Sequence, residues 1–271
     1  MRYAAHEILV APARRTAGMG RLGAGVCLTV AIFLMLSVVW AGLLPLIFGV
    51  EGWARIMPGV ATATTPAGVL VNLFTFALLL AARQFGRALL AVAVLYGGLA
   101  LVPLPEALVP ERNLAAATWV MFLPLALVAL FCQVFAEEVA FRGYLQSQLA
   151  ARFTSPVIWL GLPALAFGLL HVDSATYGAN GWLVMLWATG FGLAAADLTA
   201  RFGTLGPATA LHLVNNFSAI LVAAPKGQFD GLALYVFPFS LHDEAAVLAV
   251  LPADILMLLC GWLAIRVALR G

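Results

Sequence analysis

Apolar residues run along this 271-residue chain in long blocks, broken by short stretches that hold most of the arginines, prolines and acids. About 20 apolar residues cross the hydrocarbon core of a bilayer as one helix. On that rule the expected spans are 24–50, 64–82, 88–104, 114–136, 156–172, 181–199, 205–224 and 245–268. The pattern therefore predicts an all-α fold, a polytopic membrane helical bundle of about eight transmembrane helices. No Ser/Gly-rich linker, low-complexity tract or clear internal repeat divides it, so 1–271 reads as a single integral membrane domain. Pro124 and Pro163 fall inside two spans as kink candidates. The first apolar block, following Arg14, Arg15 and Arg21, is too long for a signal-peptide core and reads as a retained span.

Composition agrees. The chain is 64% hydrophobic and 10% charged, with a mean hydropathy of +1.04, which no soluble domain's charged surface allows. The net charge of +2 is small and the arginines are scattered rather than gathered into a stripe, which excludes nucleic acid as a partner. Cys27, Cys132 and Cys260 are odd in number and form no CxxC pair, so neither a disulfide framework nor a zinc knuckle is indicated. Threading the spans with the amino terminus inside puts Arg2, Arg14, Arg15, Arg21, Arg83, Arg87, Arg152, Arg201, Arg266 and Arg270 on one side. Only Arg55, Arg112 and Lys226 fall on the other. The positive-inside rule then predicts cytoplasmic termini, with loops 105–113 and 225–244 facing outward. The Ala- and Leu-rich chain with short loops points to a bacterial inner (plasma) membrane.

Against this background a few polar residues stand out in apolar segments: Glu137, Glu138, Arg142, His171, Asp197, His212, Asn215 and Asn216. Ionisable groups inside a membrane cost at least about 2.5 kcal/mol and face a bundle interior or wet cavity, which marks them as functional candidates. Glu138 and Arg142 are spaced i,i+4 with the acid first, the favourable order for an ion pair. Glu137 projects about 100° away from Glu138 and has no local countercharge. A turn near 153–156 would bring Glu137 and His171 to a similar level of a helical hairpin, where they can face each other. His212 and Asn216 share a helix face at i,i+4, and Gly206-Pro207 after Thr204 reads as a capped start for their helix. Asp197 and Asn215 read as helix-packing donors or acceptors, and Phe141 and Phe167 as packing residues.

The segments EEVAFRGYL, FGLLH and HLVNN resemble, in this order, the three motifs of the CPBP intramembrane proteases, the group of type II CAAX prenyl endopeptidases and bacteriocin-processing or abortive-infection proteins. The likeness covers roughly residues 120–225, which would form the catalytic core. It implies that Glu137 is the catalytic glutamate, with Glu138 as companion acid and Arg142 holding the motif in place. It further implies that His171 acts with Glu137 on a water molecule, while His212 and Asn216 stabilise the oxyanion or help bind that water. The substrate would be a membrane-anchored protein or peptide within the lipid bilayer. Peptide hydrolysis needs a base, oxyanion donors and an acid for the leaving amine, and these residue types supply all three. No cofactor is favoured. Zinc held by Glu137, His171 and His212 is the metal-dependent alternative, and the absence of HExxH removes the usual single-helix zinc arrangement.

Two rivals come from other classes. An ion-coupled transporter or proton-relay protein also places Glu, His and Asp inside helices, but it predicts inverted repeats or broken helices. A non-catalytic binding or scaffold protein of the same fold would not need the intact set of four. The depth of the site is given differently by two counts. From the apolar run 114–136, Glu137 ends its helix at the cytoplasmic boundary; from the turn near 153, it lies deeper, in a cavity opening outward. The second count applies if 138–152 is buried in protein.

Overall fold

A computed structural model of the protein describes residues 3–14, 18–27, 30, 45, 49–62, 84–99, 101 and 108–269. The expected span 64–82 altogether, and 24–50 for the most part, lie outside the described residues. The principal helices are α1 (Glu7–Arg14), α2 (Val50–Thr62), α3 (Phe85–Leu99), α4 (Ala116–Ala150), α5 (Pro156–Leu169), α6 (Gly181–Phe202), α7 (Gly206–Asn216) and α8 (Glu244–Ala268). Among the described residues three helices are long and apolar enough to cross a membrane: α4, the stretch Ser174–Phe202 that contains α6, and α8. The apolar helices α3 and α5 are shorter. The eight-span expectation is thus met only in part, since the expected span 156–172 becomes a shorter helix and the end of 88–104 lies outside the described residues. The expected span 205–224 becomes α7 followed by a π-helical segment, Phe217–Val222.

The largest departure is in α4. The apolar run alone would end a span at residue 136, while the count from the turn near 153 places Glu137 deeper, and the helix runs on to Ala150. It is α-helical through Glu138, π-helical over Val139–Gln146 and α-helical again over Ser147–Ala150. The charges do not stop it because they pair inside the protein, and no residue from 138 to 150 is exposed. At 1.5 Å per residue Glu137 stands about 30 Å from the start of α4 and about 20 Å from its end. The site therefore lies in the interior of a long helix.

Small residues let the helices close on one another. A Cβ on Gly168 of α5 would run into Thr189 and the Met185 carbonyl of α6, and one on Gly192 of α6 would meet Ala164 Cα of α5 at 2.9 Å. On the other side of the bundle, Gly261 of α8 leaves room for Leu211 of α7 and Tyr96 of α3. Membrane helices associate by such close backbone approach, since lipid gives no hydrophobic drive. The core between them contains Val92, Phe167, Phe191, Leu198, Leu211 and Ile265.

Each end of the bundle gathers its own loops. At one end Thr204 donates to Gln84, Arg87 to the Ala268 carbonyl, Arg152 to the Gly18 carbonyl, and Tyr3 to Asp197. These are the loops that the charge pattern grouped together. The Thr204 hydroxyl does not cap α7, contrary to expectation; it is spent on Gln84, because Gly206 brings the start of α7 against the Phe85 backbone, and Pro207 begins the helix instead. At the other end Asn113 donates to the Asp230 and Ala233 carbonyls, and Asn180 to the Leu241 carbonyl. There the chain adds a small sheet that apolar periodicity did not predict. Strands β1 (Glu111–Arg112), β2 (Ala223–Pro225) and β3 (Tyr235–Phe237) stand in the order β1-β3-β2, β1 antiparallel and β2 parallel to β3. The sheet ties together the two loops expected to face outward. The three cysteines are free.

Candidate active site

The polar residues of α4 and α7 converge between the helices. Glu138 is fully buried, and its Oε1 lies 3.1 Å from Arg142 Nη1 and 2.8 Å from His212 Nδ1. The expected i,i+4 ion pair is therefore present, with His212 added to it from α7. Arg142, itself 1% exposed, lays its guanidinium 4.6 Å from the centre of the Phe167 ring. That ring also meets Phe141 edge-on at 5.3 Å, so both phenylalanines pack, as expected, and they pack around the cation.

Glu137 points elsewhere, as the helical period requires. Its side chain is 22% exposed, takes a hydrogen bond from Gln133 Nε2 one turn earlier, and brings Oε2 to 3.7 Å from His212 Nε2. The two adjacent carboxylates thus flank one imidazole, Glu138 bonded to Nδ1 and buried behind it, Glu137 facing Nε2 across a 3.7 Å gap on the accessible side. The ring is further fixed by Phe191, 4.8 Å away between centroids, and by Phe167 at 5.8 Å.

His171 lies just past the end of α5. Its Nδ1 is 2.9 Å from the Phe167 carbonyl and its ring packs 4.8 Å from the Phe167 ring. Among the described residues no hydrogen bond or ion pair joins it to Glu137, so the expected meeting across the hairpin is replaced by an arrangement around Phe167. Phe167 touches both histidines.

Asn216 closes α7, one turn beyond His212. Its Oδ1 accepts from Asn215 Nδ2 at 3.3 Å, and Asn215 Oδ1 accepts from the Tyr96 hydroxyl of α3 at 3.5 Å. Asp197 has the packing role expected of it: Tyr3, Arg201 and Trp262 all donate to its carboxylate, at the end of the bundle where α6 closes.

Sequence reasoning missed Gln133 and Tyr96. Gln133 carries a readable signal, as a lone amide one turn before Glu137 in an apolar run. Tyr96 carries none, because its partner lies 119 residues away.

Among the described residues no three His, Cys, Asp or Glu side chains converge as ligands for a metal ion. The reason is visible in the geometry. Glu137 and Glu138 take opposite sides of His212, and His171 turns Nδ1 to a backbone carbonyl. The trio Glu137, His171 and His212 is not gathered for zinc.

A helical membrane protein with paired carboxylates on one imidazole is the class that the fold and the site define. A family model described as type II CAAX prenyl endopeptidase Rce1-like matches residues 118–218, and this supports the assignment of the chain to the CPBP family of intramembrane proteases. The matched stretch runs from α4 to just past Asn216 and contains all four candidate catalytic residues. No curated protein and no solved structure matches the chain.

Proposed function

We propose that this protein is an intramembrane endopeptidase that hydrolyses a peptide bond of a membrane-anchored protein or peptide, using water activated by Glu137 and no metal. The observation that carries the reading is His212 set between two carboxylates, its Nδ1 bonded to the buried Glu138 and its Nε2 facing the accessible Glu137 across a gap of 3.7 Å. Anchoring Nδ1–H on Glu138 leaves Nε2 with the lone pair, facing Glu137. A water beside Glu137 loses its proton to the carboxylate as its oxygen attacks the scissile carbonyl carbon. The negative charge passes to the carbonyl oxygen, for which the Asn216 amide is the neutral donor. The proton returns from Glu137 to the leaving amine when the C–N bond breaks, and His212 Nε2 can take or give it on the way. His171, with Nδ1 on the Phe167 carbonyl, presents Nε2 as a second acceptor for the water. Glu138 and Arg142 touch no reacting atom and position His212.

The arginine distribution supports cytoplasmic termini, the Ala- and Leu-rich chain with short loops supports a bacterial inner membrane, and the burial of 138–150 supports a cavity opening outward. The test compares membrane-protein termini in cells carrying the wild type or Glu137→Gln. New termini should appear only with the wild type, and identical sets would refute the assignment.

A further inference from the structure

The amide of Asn216 has two ends, and only its NH2 can stabilise an oxyanion. The groups that bear on that choice are its neighbour Asn215 and, through Asn215, Tyr96, which lies outside the matched stretch. Tyr96 is 7% exposed, and its hydroxyl is the donor to Asn215 Oδ1. A side-chain amide that accepts at Oδ1 presents its NH2 at the other end, and Asn215 gives that group to Asn216 Oδ1. Asn216 is thereby turned with its oxygen toward Asn215 and its NH2 away. Among the described residues Asn216 Nδ2 donates to no protein group.

We propose that Tyr96 and Asn215 are positioning residues that set the polarity of the Asn216 amide, so that its NH2 rather than its oxygen faces the substrate carbonyl. The proposal rests on the protease reading for its purpose and on the hydrogen-bond directions for its content. The Tyr96 hydroxyl, which as a phenol can also accept, is the donor here, and Asn215 Oδ1 is the acceptor. The Tyr96 ring itself is held in the bundle core with Val92, where Gly261 of α8 leaves it room. Both histidine and asparagine of HLVNN thus have a partner that fixes which nitrogen or oxygen they show. Glu138 fixes His212 and the Tyr96–Asn215 pair fixes Asn216.

The test needs no substrate. The chain has five asparagines, so full-length protein labelled with 15N-asparagine in lipid nanodiscs gives few side-chain amide pairs, and Asn216→Ser identifies that of Asn216. In Tyr96→Phe the pairs of Asn215 and Asn216 should both shift. Those of Asn113 and Asn180, held by backbone carbonyls at the far end, should stay in place. In Asn215→Asp, which can accept from Tyr96 but not donate when ionised, the Asn216 pair should shift while the tyrosine packing is kept. If Tyr96→Phe displaces every pair, the Asn215→Asp spectrum decides. An Asn216 pair unmoved by Asn215→Asp overturns the proposal. The outcome is independent of hydrolysis, so cleavage that survives Glu137→Gln would sink the protease reading and leave this spectrum as it is.

Discussion

Replacing Arg142 by methionine tests whether the polar centre of the bundle is held by charge pairing. The guanidinium is 1% exposed, 3.1 Å from a carboxylate that is 0% exposed, and 4.6 Å from the Phe167 ring centre. Methionine keeps a long apolar side chain in the space, so the loss is chiefly electrostatic. Among the described residues Glu138 would retain His212 as its only polar partner. Removing one member of a buried ion pair costs about 3–5 kcal/mol, because the other charge is left uncompensated. The double variant Glu138→Leu/Arg142→Met removes both charges and leaves one buried donor, His212 Nδ1, without its acceptor. That penalty is about 1–3 kcal/mol. The double variant should therefore be about 2 kcal/mol more stable than Arg142→Met alone, the difference between those two costs. Steric-trap unfolding in bicelles reads each value directly. A single-variant cost below about 1 kcal/mol, or a double variant no more stable than the single, would refute a buried charge pair at this place.

Three more outcomes concern other parts of the molecule. Gly192→Val should cost about 1–3 kcal/mol by overpacking, since its Cβ meets Ala164 backbone atoms at 2.9 Å and 3.2 Å; Gly190→Ala, with nothing within 4 Å, should cost nothing, and equal melting shifts would contradict the packing. Burial against Trp159 pulls the His6 imidazole down from 6.5 to about 4. The docked amino-terminal segment is therefore undiminished above about 6.5 and weakens as pH falls toward about 4; a 13C-histidine titration placing His6 near 6.5 would show that the ring is not buried. Gln228→Cys should react with an impermeant thiol reagent on intact cells while Thr154→Cys reacts only after permeabilisation, and the reverse pattern would invert the proposed orientation.

What the sequence makes legible is local. The Glu138–Arg142 pair, the divergence of Glu137 and the shared helix of His212 and Asn216 all come from 3.6 residues per turn, and the structure contains each of them. Counting residues from a turn gives height along a hairpin but not rotation about the helix axis. Height alone matches His171 to Glu137, whereas the His171 ring packs on Phe167 and its Nδ1 meets a backbone carbonyl. The link between His212 and Glu138 spans 74 residues and depends on how α7 rolls against α4, which no local pattern encodes. The small sheet escaped for a different reason. Its strands are two and three residues long, too short for an alternation to be read.

The winding of the backbone joins these residues. Both helices that carry the site change type at their motif residues, α4 at Val139, between Glu138 and Arg142, and the helix of α7 at Phe217, after Asn216. The π-helix is rare and is found disproportionately at functional sites. Its wider turn offsets each later residue from α register, so residues beyond the motif face a different neighbour than an α-helix would give them. In α4 this lets Glu138 and Arg142 stay paired toward α7 and Phe167 while Gln146, further on, gives its amide to the Ala196 carbonyl of α6. The charged sequence that reads locally as the end of a membrane span is thus where the helix changes its winding. One continuous helix thereby serves the site through Glu137, Glu138 and Arg142 and the α6 interface through Gln146.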